Sequence, residues 1–212
     1  KKYNKLDYIL NTHHHLDHVG GNQKLKEKYK SKILGCEIDK DRIPGIDIRL
    51  REKQNFKIGN ASFEVIFTPG HTKGHIAFYF MKEKIVFTGD TLFSLGCGKV
   101  FEGTYKQMLN SLNKLKNLPI DTKIYCGHEY TKKNLEFCLK HDSNNEFLKK
   151  KDNWVNLKVE YNSPTVPISI EQEKKTNIFL RCNEPSIKNA LDLNNASELE
   201  IFSKLRDLKD TF

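Results

Sequence analysis

Residues 12–18 read Thr-His-His-His-Leu-Asp-His, and five of the seven carry metal-ligating side chains. The skeleton is His13-x-His15-x-Asp17-His18. With eight histidines and twelve aspartates in 212 residues, chance yields it on the order of once in a thousand such chains. A single histidine is more often a solvated or core side chain. This cluster, directly behind an apolar run, reads as a metal site.

The cluster constrains the local fold. Residues 6–11, Leu-Asp-Tyr-Ile-Leu-Asn, predict a buried strand running into it. Val19-Gly20-Gly21-Asn22 turns the chain, and residues 23–29 predict a helix. The donors then lie on a strand-to-helix loop carried by a rigid scaffold. In extended backbone His13 and His15 point the same way, and Asp17 with His18 can floor a second site beside them. Imidazole and carboxylate without thiolate suit a hydrolytic zinc, iron or manganese centre rather than a structural zinc finger.

The same arrangement recurs down the chain. Strand candidates at 32–36, 56–58, 62–67, 75–80, 84–88 and 122–125 are bounded by turn residues. Three of them end in short Gly, Pro or Thr loops that offer His71, Asp90 and His128. Each of these is weak alone, since Gly-Asp or Pro-Gly-His is usually a turn. Together with residues 13–18 they make a metal site, provided the strand ends share one edge of a sheet. Residues 37–54 are charged, contain Pro44 and Gly45, and read as a loop. Thr104 with Gln107 resembles a capping box opening a helix to about Asn117.

From Thr131 the pattern turns helical. Helices are expected over 132–140, 147–159, 168–174, 186–191 and 198–208, the last behind an Asn195…Glu198 cap. Ser163-Pro164-Thr165-Val166-Pro167 is extended, because proline excludes helix. The expected organisation is an α/β metal domain over 1–130 and a helical subdomain over 131–212.

Composition bounds the alternatives. No apolar run approaches the roughly 20 residues that span a bilayer. The five cysteines form no C-x-x-C pair, so neither a disulfide framework nor thiolate zinc is expected, and a reducing, cytoplasmic setting is the default. The net charge is +9, and the whole excess lies in residues 1–120, with 21 Lys+Arg against 12 Asp+Glu. Aromatics do not alternate with the lysines, so no nucleic-acid partner is expected. The first residues, Lys-Lys-Tyr, lack Met and lead almost at once to a core strand. That predicts an incomplete N-terminus, with organellar targeting unreadable there.

These motifs resemble the metallo-β-lactamase superfamily, and more narrowly glyoxalase II, the hydroxyacylglutathione hydrolases. The narrow likeness rests on residues 12–18, Thr-Pro-Gly-His-Thr-Lys-Gly-His at 68–75 and Phe-Thr-Gly-Asp-Thr-Leu-Phe at 87–93. It extends to Gly-Cys-Gly-Lys at 96–99, Tyr-Cys-Gly-His-Glu-Tyr-Thr at 125–131 and Pro-Thr-Val-Pro at 164–167. The resemblance implies an α/β fold, an αββα sandwich followed by a C-terminal helical, substrate-binding domain over 131–212, with N-terminal strands that this chain lacks. It implies two divalent metals, zinc first and iron or manganese next. His13, His15 and His71 would hold one; Asp17, His18 and His128 would hold the other; Asp90 would bridge them. It implies glutathione contacts at Lys99, Tyr130, Arg206 and Lys209. Where the family carries a tyrosine two residues past that lysine, this chain has Phe101, so one hydroxyl contact is missing.

The implied reaction is hydrolysis of S-D-lactoylglutathione and related glutathione thioesters to glutathione and a 2-hydroxy acid, the second step of methylglyoxal detoxification. A metal-bridging hydroxide attacks, and Asp17 is placed to orient it. From the residues alone, Arg206 and Lys209 have two readings, carboxylate binding or a helix C-terminus matched to its dipole. Lys99 and Tyr130 are similarly open. His14 is expected to be structural, His75 to hydrogen-bond within the fold, and His141 to face solvent. The competing readings are another enzyme of this fold (a persulfide dioxygenase, a lactonase or an RNA-processing nuclease) and a non-catalytic metal-binding scaffold.

Overall fold

The computed structural model describes residues 4–212. Chain order begins β1 (Tyr8–Leu10), α1 (Leu16–Val19), α2 (Asn22–Tyr29), β2 (Lys32–Cys36), β3 (Ile48–Leu50), β4 (Asn55–Ile58) and β5 (Ala61–Phe67). It continues β6 (Ile76–Phe80), β7 (Ile85–Gly89), β8 (Leu92–Phe93), β9 (Gly96–Cys97), α3 (Tyr105–Lys116), β10 (Lys123–Cys126), α4 (Thr131–His141) and α5 (Glu146–Glu160). It closes with β11 (Ile168–Ser169), α6 (Ile170–Thr176), α7 (Pro185–Ala190) and α8 (Glu198–Asp210).

Two sheets face each other. The first is parallel, in the order β1-β2-β3; the second is mixed, in the order β11-β10-β7-β6-β5-β4. Alternation along the strands sorts side chains between two layers. Leu34, Cys36 and Leu50 from the first sheet meet Phe63, Val65, Ile76 and Phe78 from the second. The far face of the second sheet, with Ile66, Ala77, Tyr79, Val86 and Ile124, packs on the helices through Met108, Leu112, Phe137, Phe179 and Phe202. On the outer face of the first sheet, Val19 packs with Ile33 and Ile43. The layers are therefore helix, sheet, sheet, helix, and each large apolar side chain buried between them stabilises by ~1.5–3 kcal/mol.

Local signals explain most elements. Thr104 and Gln107 form the expected capping box, with both reciprocal bonds made, and α3 buries Met108, Leu112 and Leu115 at helical spacing. The β4–β5 hairpin turns on Gly59-Asn60, pairing Ile58 with Ala61, and Gly59 has φ of 57° as a two-residue hairpin turn requires.

Four expectations are corrected. Residues 37–54 are not all loop, because Ile48–Leu50 pairs in parallel with β2 and Leu50 is fully buried. Residues 168–174 do not start as helix, because Ile168 and Ser169 pair antiparallel with Ile124 and Lys123. The cap of α8 is Ser197 with Glu200, not Asn195 with Glu198. His141 is half-buried against the Phe137 ring, 4.8 Å between centroids, rather than in open solvent.

The topology gathers the donor loops. β7 and β10 are parallel, and β5 and β7 both run antiparallel to β6 between them. The C-terminal ends of β5, β7 and β10 therefore share one edge. Backbone bonds lock that edge: Ile76 N–H to Thr12 carbonyl at 2.9 Å and Gly127 N–H to Gly89 carbonyl at 2.9 Å. Among the described residues no helix is long and apolar enough to cross a membrane.

Candidate metal centre and the adjoining cleft

All seven expected donors meet at that edge. His13, His15 and His71 form one group; Asp17, His18 and His128 form another; Asp90 joins His13 and His18 between them. His15 Nδ1 lies 3.2 Å from His13 Nε2 and 3.1 Å from His71 Nε2. His18 Nε2 lies 3.3 Å from His128 Nε2 and 3.4 Å from Asp17 Oδ2. Asp90 spans the groups, with Oδ2 3.6 Å from His71 Nε2 and 3.3 Å from His128 Nε2. Its Oδ1 is buried 3.3 Å from His18 Nε2, yet makes no hydrogen bond.

These separations test the fit to a metal. Donors 2.0–2.1 Å from a tetrahedral ion stand roughly 3.3–3.4 Å apart, close to what the cluster shows. The protonation states agree. Burial pushes His13, His15 and His71 below the usual imidazole range, and at His13 the neighbouring imidazoles push further. Neutral imidazole is the form that ligates. Burial works against ionising Asp90, but His18, His128 and His71 together hold its carboxyl below its ordinary value. The Asp90 carboxylate 3.3 Å away, with that of Asp17, raises His18. Orphaned Oδ1, the lowered His13, His15 and His71 rings and the donor spacing fit a binuclear metal site.

Other side chains orient the donors. His71 Nδ1–H donates to the Lys99 carbonyl at 2.8 Å, leaving Nε2 for the cluster. His75 does more than satisfy itself. Its Nε2 accepts the Asp90 N–H at 3.0 Å, and its Nδ1 meets Thr68 Oγ1 at 2.8 Å. His14, as expected, leaves its neighbours and bonds Asp39 at 3.1 Å. Asp39 is fully buried where a Cβ on Gly74 would stand. Glu102 pairs with Arg42 and accepts the Lys73 N–H at 2.8 Å, tying the His71 loop to residues 101–103. Cys97 and Cys126 lie beside the site, but burial raises both thiols, Cys126 to about 11, so neither is a nucleophile.

Next to the cluster is a cleft of about 310 Å³ lined by Phe93, Cys97, Lys99, Tyr130, Lys209 and Asp210 among others. Arg206 and Lys133 line it too. Four of the five expected substrate residues therefore converge. Phe101 stands at the boundary, 59% exposed, its ring 5.3 Å from that of His71, with Lys99 Nζ 5.8 Å from its centroid. Tyr130 stacks on His128 at 5.0 Å, linking cleft to cluster. Arg206 differs from the picture of a free cation. It is only 4% exposed, and its guanidinium already donates to the Cys97 carbonyl at 2.9 Å and to Asp210. Lys133 was not singled out by its sequence, where it is one lysine among many.

Fold and donor set define the class, a metallo-β-lactamase-type protein with a His/Asp cluster suited to a binuclear metal site. The metallo-beta-lactamase superfamily pattern matches residues 3–128, and the pattern described as hydroxyacylglutathione hydrolase C-terminus matches 129–212. The chain is 56% identical over 207 residues to a Pelagibacter ubique protein named hydroxyacylglutathione hydrolase, covering 98% of this chain and 81% of that one. A Methylococcus capsulatus protein of the same name is 43% identical over 208 residues, covering 98% and 81%. Among solved structures, ETHE1 from Myxococcus xanthus aligns with a TM-score of 0.60 at 22% identity, covering 96% of this chain and 76% of that one. The BLEG-1 B3 metallo-beta-lactamase aligns with a TM-score of 0.60 at 23% identity, covering 82% and 77%. Those two likenesses show the fold alone. This chain belongs to the hydroxyacylglutathione hydrolase family.

Proposed function

We propose that this chain hydrolyses S-D-lactoylglutathione and related glutathione thioesters to glutathione and a 2-hydroxy acid, removing the product of methylglyoxal capture. The observation that carries the reading is a cationic cleft opening beside a cluster of donors for two metals. The relatives' names favour it over the dioxygenase, lactonase, nuclease and scaffold readings. We assign His13, His15 and His71 to one ion, Asp17, His18 and His128 to the other, and Asp90 to both. Zinc is our choice of metal, and iron or manganese fits the same donors. Residues 131–212 are the substrate-binding part in this reading.

Two divalent ions held in the cluster would supply water acidified toward a pKa of about 7 and a positive field at the thioester carbonyl. The chain's own groups do the rest. Asp17, at the exposed mouth of the cluster, accepts a hydrogen bond from the attacking water. The leaving thiol, with a pKa of about 8.5, departs as thiolate with little need of a general acid. The Tyr130 phenol, protonated at neutral pH and raised further by partial burial and the nearby Asp90 and Asp17 charges, donates a hydrogen bond to the substrate. Lys99 and Lys209 face the glutathione carboxylates, and Arg206 buttresses the cleft wall through the Cys97 carbonyl.

The test is hydrolysis of S-D-lactoylglutathione with metal assayed on the same sample, beside a simple thioester and a chelator-treated control. Metal-dependent turnover that strongly prefers the glutathione thioester supports the reading; two bound metals with no turnover of either thioester ends it. A second result is expected at Lys209. Burial, then the Arg206 charge and other neighbours, lower its ammonium to about 8, so the cation is lost as pH rises through 8. KM for the glutathione thioester should climb several-fold between pH 7 and 9. Lys209→Arg, which stays charged, should flatten that climb relative to wild type. Identical pH profiles would remove Lys209 from the site.

A further inference from the structure

Residues 91–98 carry the chain from Asp90, in the metal cluster, to Lys99, in the cleft. Their middle is the β8–β9 hairpin, held internally by two register pairs, Leu92 with Cys97 and Phe93 with Gly96. Two-residue strands do not hold a turn by themselves. The tip is also strained, because Leu95 is fully buried at φ of 60°, a left-handed conformation that non-glycine residues adopt at a cost.

What holds the tip comes from the C-terminal helices. Asn134 on α4 donates to the Ser94 carbonyl at 3.0 Å, and the Cys138 thiol reaches the Leu95 carbonyl at 3.2 Å. Asn177, just past α6, donates to the Gly96 carbonyl at 3.0 Å and to Glu173 Oε2 at 2.8 Å. Glu173 Oε2 accepts the Leu95 N–H at 2.8 Å. Glu173 is fully buried, and its other oxygen has no hydrogen-bond partner. Burial drives its carboxyl up to about 7. In an apolar interior leucine would cost less than a carboxyl group, so packing is not what Glu173 contributes. It contributes an acceptor for the Leu95 amide and for Asn177.

We propose that Glu173 is a positioning residue for thioester hydrolysis: with Asn177 it fixes the Leu95 turn and so places Phe93, Cys97 and Lys99 against the glutathione part of the substrate. The inference rests on the reading of the cleft as a glutathione site. Glu173 touches no substrate. Its effect runs through the Gly96 and Cys97 carbonyls to Arg206 and the cleft wall that carries Lys99.

The experiment compares wild type, Glu173→Leu and Glu173→Gln on S-D-lactoylglutathione and on a simple thioester lacking glutathione, with metal content and melting temperature on each. Losing a hydrogen bond to a buried polar group predicts, for Glu173→Leu, KM for the glutathione thioester up about tenfold or more. The kcat should move less than about threefold, with the simple thioester and the metal content little changed. Glu173→Gln keeps a carbonyl oxygen for the Leu95 amide and should bring KM back to within about threefold of wild type. Equal losses on both substrates, or a Glu173→Gln chain that melts like wild type yet keeps the raised KM, would overturn the proposal. If Glu173→Leu does not fold, Asn177→Ser carries the same expectation, and an unchanged KM there overturns it too. If wild type hydrolyses neither thioester, the assignment of function has failed instead.

Discussion

Asp90→Asn is expected to hold fewer than two metals per chain and to lose activity by roughly a thousandfold or more. Asp90 is the anion that stands between the two donor groups, within 3.3–3.6 Å of nitrogens from His18, His71 and His128. The amide is isosteric and keeps the backbone bond from Asp90 N–H to His75, so the fold should survive. It has no charge to set against two divalent ions. Metal per chain and kcat/KM are the measurements, with the metal-free forms of both chains compared for melting. A variant that keeps two metals and works within tenfold of wild type would mean that Asp90 is not shared.

Gly98→Ala is expected to approach a ligand mutant in effect although residue 98 is not a donor. A Cβ there would overlap the Asp90 carbonyl oxygen and lie 3.2 Å from His71 Nδ1. Neither neighbour is the free end of a flexible side chain, so the backbone carrying Asp90 and Lys99 must move. Loss of about 100-fold or more in kcat/KM follows, because sub-ångström placement of the donors sets the rate. Gly59→Ala is the control. Its Cβ meets nothing within 4 Å, but the residue has φ of 57°, so it should cost ~1 kcal/mol of stability with kcat/KM unchanged. A Gly98→Ala chain as active as the control would show that the close approach is not needed.

The donors were legible because one run carries most of them. The His-rich run at 13–18 reads as a metal site by itself, and His71, Asp90 and His128 gain that reading only beside it. The strands they follow were legible too, as short apolar runs bounded by turn residues. The residues that were not legible depend on partners distant in sequence. β3 is three residues among charges, and only burial of Leu50 between the sheets makes it a strand. Ile168 and Ser169 precede a helix and look helical until Lys123 and Ile124 pair with them. Arg206 and Lys209 are equivalent by spacing, but the structure buries the first against Cys97 and leaves the second more open. Glu173 looks like any helical glutamate, because its target, the Leu95 amide, lies 78 positions away.

The pairing of β11 with β10 also has a consequence for biosynthesis. β10 brings His128 to the donor cluster, and among the described residues its outer hydrogen-bonding edge is covered by Ile168 and Ser169. A nascent chain that has emerged only as far as α4 carries every proposed metal donor and a bare sheet edge, a template for pairing with neighbouring chains. Translation must extend past Ser169 before that edge is sealed. A stalled or clipped product ending between His128 and Ile168 would therefore be a chaperone client or an aggregate, not a smaller working hydrolase.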